Sequence, residues 1–253
     1  MSGYSFRDRY SMMLSRDLKC LQKVLYNVDR YTNWTKNRNP DSTAERDLNY
    51  ALFLLYAKHT GPEIRAYLER TIEVTDRVLK EKKCESKLCK YSFPMNRGSI
   101  LRVRAYAKSL CGESVDLSAL EQASHDYEAY CKLTGPSDWD EISQPYLLAA
   151  IRLALICGNF ERAEKLVASR KCTQKQKKEQ DMWQAVLSAK CKQGLPIKDN
   201  RLMAQYDSIF NRNRNPYEPE GIAALELSLL RERFFSENGE EICWERIIDA
   251  VSQ

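Results

Sequence analysis

Apolar residues recur at three- and four-residue spacing along almost the whole chain, and strictly alternating runs are rare. This is the period of amphipathic α-helices that bury one face in a core. It predicts an all-α fold of about ten or eleven helices. The predicted ranges are Phe6–Asn33, Ser42–His59, Pro62–Lys82, Ser99–Leu110, Leu117–Leu133, Trp139–Cys157, Asn159–Ser169, Lys177–Gln193, Lys198–Asn211, Glu218–Phe235 and Glu241–Val251.

The joints between these helices are short and carry the residues that usually end a helix, such as Gly112, Gly158 and Gly194. Short joints favour antiparallel neighbouring helices. With only 9 Gly and 8 Pro, the chain has too few turn formers for a β-sandwich. We therefore expect antiparallel helical hairpins, packed as a bundle or as a tetratricopeptide-like array.

One predicted hairpin, Leu147–Ser169, has the pattern found in the middle of a tetratricopeptide repeat. Gly158 turns the chain, Phe160 fills the gap beside the turn, and Ala163 permits close approach of the two helices. No regular 34-residue period repeats this pattern elsewhere, so an isolated hairpin of the same type is the alternative.

The segment Lys83–Gly98 interrupts the helical pattern and is the best candidate boundary within the chain. No composition typical of a flexible linker accompanies it. We expect a single α-helical domain over residues 1–253. A subdivision into N-terminal helices, 1–82, and a helical-hairpin array, 99–253, is the alternative.

The net charge of +5 is mild for 253 residues and does not by itself indicate nucleic-acid binding. The charge is uneven, because Asp76–Lys108 carries ten Lys or Arg against three acidic residues. Phe210–Gln253 carries five against nine. Basic runs at Lys80–Lys90 and Ser169–Gln180 are interpreted as solvated loops, and nucleic-acid binding through the basic middle is the alternative.

The nine cysteines are odd in number and irregularly spaced, which is typical of free thiols in a reducing compartment. The first seventeen residues carry charges throughout, so we expect no secretory leader. The longest apolar stretch, Tyr146–Gly158, is too short to cross a bilayer and contains Arg152. These features predict a cytoplasmic protein that does not enter the membrane.

Few residues are candidates for chemistry. Cys84 and Cys89 form the only close cysteine pair, whereas structural zinc needs four ligands. His59 and His125 have no nucleophile at a suggestive spacing, and no phosphate-binding or hydrolase motif occurs. We therefore expect no enzyme activity, no metal and no cofactor. The 14 Tyr are expected to be mostly half-buried, with their hydroxyls in water.

Two features of the sequence suggest binding residues at helix starts. Asp138, Trp139 and Asp140 cluster at the start of one predicted helix, where acidic residues favour the N-terminus and an exposed Trp suits an interface. The motif NRNP occurs twice, each time before a helix, and neither helix start requires its arginine. The full set of residues predicted to bind a partner is Trp34, Arg38, Asp138, Trp139, Asp140, Arg214, Tyr217 and Glu218.

Two stretches, DLNYALFLLYAKHTG (Asp47–Gly61) and YLLAAIRLALICGNFERAEKL (Tyr146–Leu166), carry a resemblance to a known family. They are similar to the all-α immunity proteins encoded beside bacterial polymorphic and type VI secreted toxins. The resemblance implies a protein that binds one cognate toxin and blocks its active site. It fixes no functional residue, because no motif accompanies it.

The expected function is therefore that of a cytoplasmic immunity protein whose partner is a cognate toxin. A tetratricopeptide-like adaptor that binds a peptide or protein is the first alternative, and a nucleic-acid binder is the second. A homo-oligomer is compatible with the sequence.

Overall fold

The computed structural model describes residues 44, 47–49, 51–52, 54–55, 61–80, 93–134, 140–169, 171–172, 174–213 and 221–237. Short helical pieces between 44 and 55 precede eight helices, and the described residues contain no strand. The eight helices are α1 (Pro62–Lys80), α2 (Phe93–Leu110), α3 (Leu117–Thr134), α4 (Asp140–Ile156), α5 (Phe160–Ser169), α6 (Gln174–Gln193), α7 (Asn200–Asn213) and α8 (Gly221–Phe235). The all-α fold class is thereby confirmed for the described residues.

Helix α2 begins at Phe93, six residues before the predicted start, so the proposed break was too long. Pro94 lies in the first turn, where the missing N–H costs no helical hydrogen bond. Gly98 lies inside the helix, where a Cβ atom would come within 3.2 Å of the Ala123 carbonyl oxygen on α3. Glycine therefore permits close packing of α2 on α3 here, although the sequence analysis placed it in the break before the helix.

Helix α6 begins at Gln174, three residues before the predicted start, so part of the second basic run is helical. Its residues Lys177, Lys178, Glu179 and Gln180 are all good helix formers, and no Gly or Pro interrupts them. Glu179 and Gln180 are buried, which corrects the interpretation of this run as a solvated loop.

Helices α3 and α4 run in opposite directions. The Ser124 hydroxyl donates to the Ala150 carbonyl, and the Cys131 thiol donates to the Ser143 carbonyl, so later residues of α3 contact earlier residues of α4. Each helix contacts the next from α1 to α8, and α8 also returns to pack on α4. In an open solenoid a repeat contacts only its neighbours, so the α4–α8 contact closes part of the structure. The tetratricopeptide-like arrangement stays a prediction.

Two helices, α4 and α8, form the centre of the core. Residues 147–156 of α4 are buried on every side, and so are ten residues of α8. Arg152 and Glu226 are the charged members of these two buried surfaces. The helices around them therefore form a shell, within which two ionised side chains need partners.

Gly158 ends α4 and fixes the path into α5. Its φ is +76°, and the N–H of Asn159 donates to the Ala154 carbonyl at 2.9 Å, as in a Schellman motif. Arg233 of α8 donates to the Leu155 and Ile156 carbonyls at 3.0 and 2.8 Å, so its guanidinium caps the same helix end. This double cap ties the α4–α5 turn to the last turn of α8.

Contacts also join the early residues to the last described helix. The N–H of Ile222, at the start of α8, donates to the Asn49 side-chain oxygen at 3.2 Å. Arg70 on α1 donates two hydrogen bonds to Asp47, at 2.6 and 3.1 Å. The division into 1–82 and 99–253 stays untested. The Asn49–Ile222 contact crosses that boundary, whereas the Arg70–Asp47 pair lies within the first part.

The expectation that the tyrosines keep their hydroxyls in water was wrong for three of them. Tyr106, Tyr127 and Tyr206 are at most 1% exposed. Their hydroxyls are bound inside the protein, to Glu226, Ser99 and the Leu227 carbonyl respectively. Burial is tolerated because each hydroxyl keeps a hydrogen-bond partner.

Candidate functional site

A buried ion network lies where α2, α4, α6 and α8 meet. Arg102 donates two hydrogen bonds to Glu226, from Nε to Oε1 at 2.7 Å and from Nη2 to Oε2 at 2.8 Å. Arg152 donates from Nε to the same Oε2 at 2.7 Å and from Nη1 to Glu179 Oε1 at 2.6 Å. Two guanidinium groups and two carboxylates therefore form one neutral, charge-assisted set.

Two aromatic side chains complete the ion network. The Tyr106 hydroxyl donates to Glu226 Oε1 at 2.9 Å, and the Trp183 indole N–H donates to Glu179 Oε1 at 3.2 Å. Glu226 thus accepts from three residues, and its side chain is fully buried. A buried carboxylate is tolerated only when its oxygens are satisfied in this way.

The arginines of the network favour the charged form of Glu226. Burial by itself would raise the pKa of Glu226, but Arg102 and Arg152 outweigh it and hold that pKa below its usual range. Burial and the neighbouring Glu226 raise the pKa of Tyr106 well above its usual range. Glu226 is therefore ionised and Tyr106 protonated near neutral pH, so neither is poised to exchange a proton.

The second candidate is a surface groove of about 710 Å³ between α5 and α6. The antiparallel pair is joined by Lys190 of α6, whose Nζ lies 3.7 Å from the centre of the Phe160 ring at the start of α5. The groove is lined on the α5 side by Glu164, Val167, Ala168, Lys171 and Cys172, and on the α6 side by Lys177, Gln180, Asp181, Gln184, Leu187, Ser188 and Cys191.

The charged residues of the groove differ from those between other helices. Within the described part of the chain, Glu164, Lys171, Lys177 and Asp181 are exposed and form no ion pair. Five ion pairs join helical segments elsewhere: Arg70 with Asp47, Arg97 with Asp126, Arg104 with Asp76, Arg162 with Glu128, and Arg231 with Asp207. The groove therefore offers both signs of charge to a ligand.

The structure describes little of the residues predicted to bind a partner. Asp140 is the first residue of α4, and its side chain lies outside the described set. The other seven also lie outside the described residues: Trp34, Arg38, Asp138, Trp139, Arg214, Tyr217 and Glu218. That binding set stays a prediction.

Sequence reasoning missed both the network and the groove. A signal for the network was present, because Arg152 interrupts the apolar run LLAAIRLALI and Glu226 interrupts GIAALELSLL. A lone charge in an otherwise buried helix requires an internal partner. A weaker signal for the groove lies along α6. There, solvent-exposed residues recur every three or four positions from Lys177 to Cys191.

No family model matches the chain, and no curated protein or solved structure matches it significantly. Among the described residues, no group of three or more His, Cys, Asp or Glu could hold a metal ion. None of the described helices combines the length and apolar character needed to cross a bilayer.

Proposed function

We propose that this protein binds another protein and acts by covering part of its surface. The observation that carries the proposal is the groove between α5 and α6. Its volume, about 710 Å³, lies within the range of ligand-binding clefts, and its lining mixes apolar floor residues with unpaired charges of both signs. A cleft of mixed sign suits a polypeptide, which carries both kinds of charge itself.

The scaffold beneath the groove supports this proposal. Glu179 and Gln180 are adjacent on α6, yet Glu179 is held in the buried network while Gln180 lies in the groove floor. The α6 wall is therefore anchored to the core through Arg152. A wall held in this way loses little conformational entropy on binding, which favours affinity.

In its specific form, the proposed function is that of an immunity protein toward a cognate toxin in the bacterial cytoplasm. The support for this form is the sequence resemblance of Asp47–Gly61 and Tyr146–Leu166 to immunity proteins. An adaptor that receives a peptide is the second candidate, favoured by the position of the groove between two antiparallel helices. Glu164 and Asp181 would repel a phosphate backbone in the groove, which argues against nucleic acid at this position.

Co-expression with the product of the neighbouring gene tests the proposal. The immunity form predicts that the neighbour arrests growth when expressed alone, and that this chain restores growth and co-purifies with it. An adaptor would co-purify without any effect on growth. A toxic neighbour that is neither bound nor neutralised would exclude the immunity form.

A further inference from the structure

We propose that the α5–α6 groove receives one amphipathic α-helix of a protein partner, and that this helix has a defined order of charge. Acidic side chains at one end of the helix would face Lys171 and Lys177. Basic side chains one or two turns further along would face Asp181 and Glu164. This inference rests on the proposed function and specifies the chemistry of the partner.

The shape of the groove suits a helix. The lining residues of α6 that are exposed, Lys177, Asp181, Gln184, Ser188 and Cys191, follow one another at spacings of four, three, four and three. Residues at this spacing form a straight row along one face of a helix. The α5 wall offers a second row, and a third helix packs its side chains between two such rows. The α6 row is about 21 Å long, which matches a partner helix of about 14 residues.

The polar groups in the floor of the groove already have hydrogen-bond partners within the protein. Leu187 and Cys172 are nearly fully buried. The Gln180 amide donates to the Val167 carbonyl at 3.0 Å and accepts from the Cys172 N–H at 2.7 Å. Because these floor groups are already hydrogen-bonded inside the protein, a helix bound over them would leave none of these polar atoms without a hydrogen bond.

The order of charges along the groove gives it a direction. Lys171 and Lys177 lie at the end where α5 leads into α6. Asp181 follows one turn along α6, and Glu164 lies on the α5 wall further from that end. The two described lining residues at the far end, Ser188 and Cys191, carry no charge. Complementary charges of this kind set the register and orientation of a bound partner.

A displayed library of 16-residue helices, randomised on one face, provides the probe. It would be selected against the full-length chain, and the enriched helices would be titrated against three variants. Lys177→Glu reverses a groove charge, and Gln184→Trp fills the groove at mid-length. Lys178→Glu is the matched control, because Lys178 is exposed on the same helix but does not line the groove.

A second readout locates the bound helix. Cys191 is an exposed thiol at the uncharged end of the groove. Labelling by a maleimide, followed by peptide mapping, would show whether a bound helix covers this position. Circular dichroism of each variant would confirm that the helical fold is kept.

The expected result is enrichment of helices with Asp or Glu at one end and Lys or Arg one to two turns away. Their affinity should fall at least about tenfold with Lys177→Glu and with Gln184→Trp, and stay unchanged with Lys178→Glu. They should also protect Cys191 from labelling. A second copy of the chain in the groove would instead appear as a dimer that Gln184→Trp dissociates, and it would overturn the inference.

The inference is also overturned if no helix is enriched, if the enriched helices lack this charge order, or if the groove variants bind them normally. Failure here is separable from failure of the proposed function. A toxin that binds wild type and both groove variants equally would leave the proposed function standing and place its interface elsewhere.

Discussion

Glu226 and Asp181 are both carboxylates on helices, but their surroundings are opposite in burial and in ion pairing. Glu226 lies in the core and accepts hydrogen bonds from Arg102, Arg152 and Tyr106. Asp181 lies on the groove, exposed and without an ion pair among the described residues. The carboxylate of Glu226 holds helices of the core together, whereas the carboxylate of Asp181 is accessible from solvent.

The buried network joins two parts of the chain that carry opposite net charge. Arg102 belongs to the basic middle of the chain and Glu226 to its acidic C-terminal part, and the fold joins them. Arg97, Arg104 and Lys108 of the same basic stretch are also paired with carboxylates. Four basic residues of this stretch are therefore neutralised within the described part of the protein.

The largest expected effect comes from Glu226→Gln. The substitution leaves Arg102 and Arg152 buried with one carboxylate between them, so we expect the free energy of unfolding to fall by about 3–5 kcal/mol. Chemical denaturation followed by far-UV circular dichroism would measure it. Glu164→Gln, on the groove, is the control and should stay within about 0.5 kcal/mol of wild type.

If Glu226→Gln and Glu164→Gln lowered the free energy of unfolding equally, the proposed difference between the core network and the groove would be wrong. Should Glu226→Gln fail to accumulate as folded protein, Glu179→Gln keeps Glu226 in place and removes only one carboxylate of Arg152. It should be destabilised less than Glu226→Gln and more than Glu164→Gln.

The pH dependence of the free energy of unfolding should also reflect the buried charge of Glu226. The folded pKa of Glu226 is held below its ordinary value of 4.5, so its contribution is present above that value. The contribution is lost as the pH falls through the folded pKa, because the folded state must then take up a proton into the core. Unfolding curves at a series of pH values should show the stability difference between wild type and Glu226→Gln shrinking in acid. A difference independent of pH would mean that Glu226 is not ionised.

A pair at the edge of the core should show an intermediate effect. Arg231 and Asp207 join α8 to α7 at 2.6 Å, with side chains 41% and 33% exposed. Solvent screens such a pair, so its coupling energy should be about 0.2–1 kcal/mol. A double-mutant cycle with Arg231→Ala and Asp207→Ala measures it. A coupling as large as that within the buried network would show that burial does not govern these energies.

The smallest expected effect on stability comes from the groove. Lys177→Glu and Lys178→Glu both alter exposed side chains on α6, so each should change the free energy of unfolding by no more than about 0.5 kcal/mol. Thermal melts of the two variants beside wild type would test this. A large loss for Lys177→Glu alone would show that Lys177 supports the fold and would weaken its use as a binding probe.

Helix positions could be predicted closely where glycine ends a helix. The stops at Gly112, Gly158 and Gly194 were predicted, and all three glycines have positive φ. The break predicted to extend to Gly98 was too long, because Gly98 lies inside α2 and allows close contact with α3. A sequence shows the residue type, but either use of glycine is compatible with it until the neighbouring helix is in place.

The sequence alone determined the class of structure, because its apolar period indicates amphipathic helices. It also showed Arg152 and Glu226 within apolar runs, a pattern that indicates buried charges with internal partners. Only the tertiary structure decided that these two residues meet Arg102 and Glu179, and that α5 and α6 leave a charged groove open. The network depends on contacts between residues up to 124 positions apart, Arg102 and Glu226, and no local pattern fixes such contacts. The groove lies between consecutive helices, but its shape depends on how α5 and α6 pack.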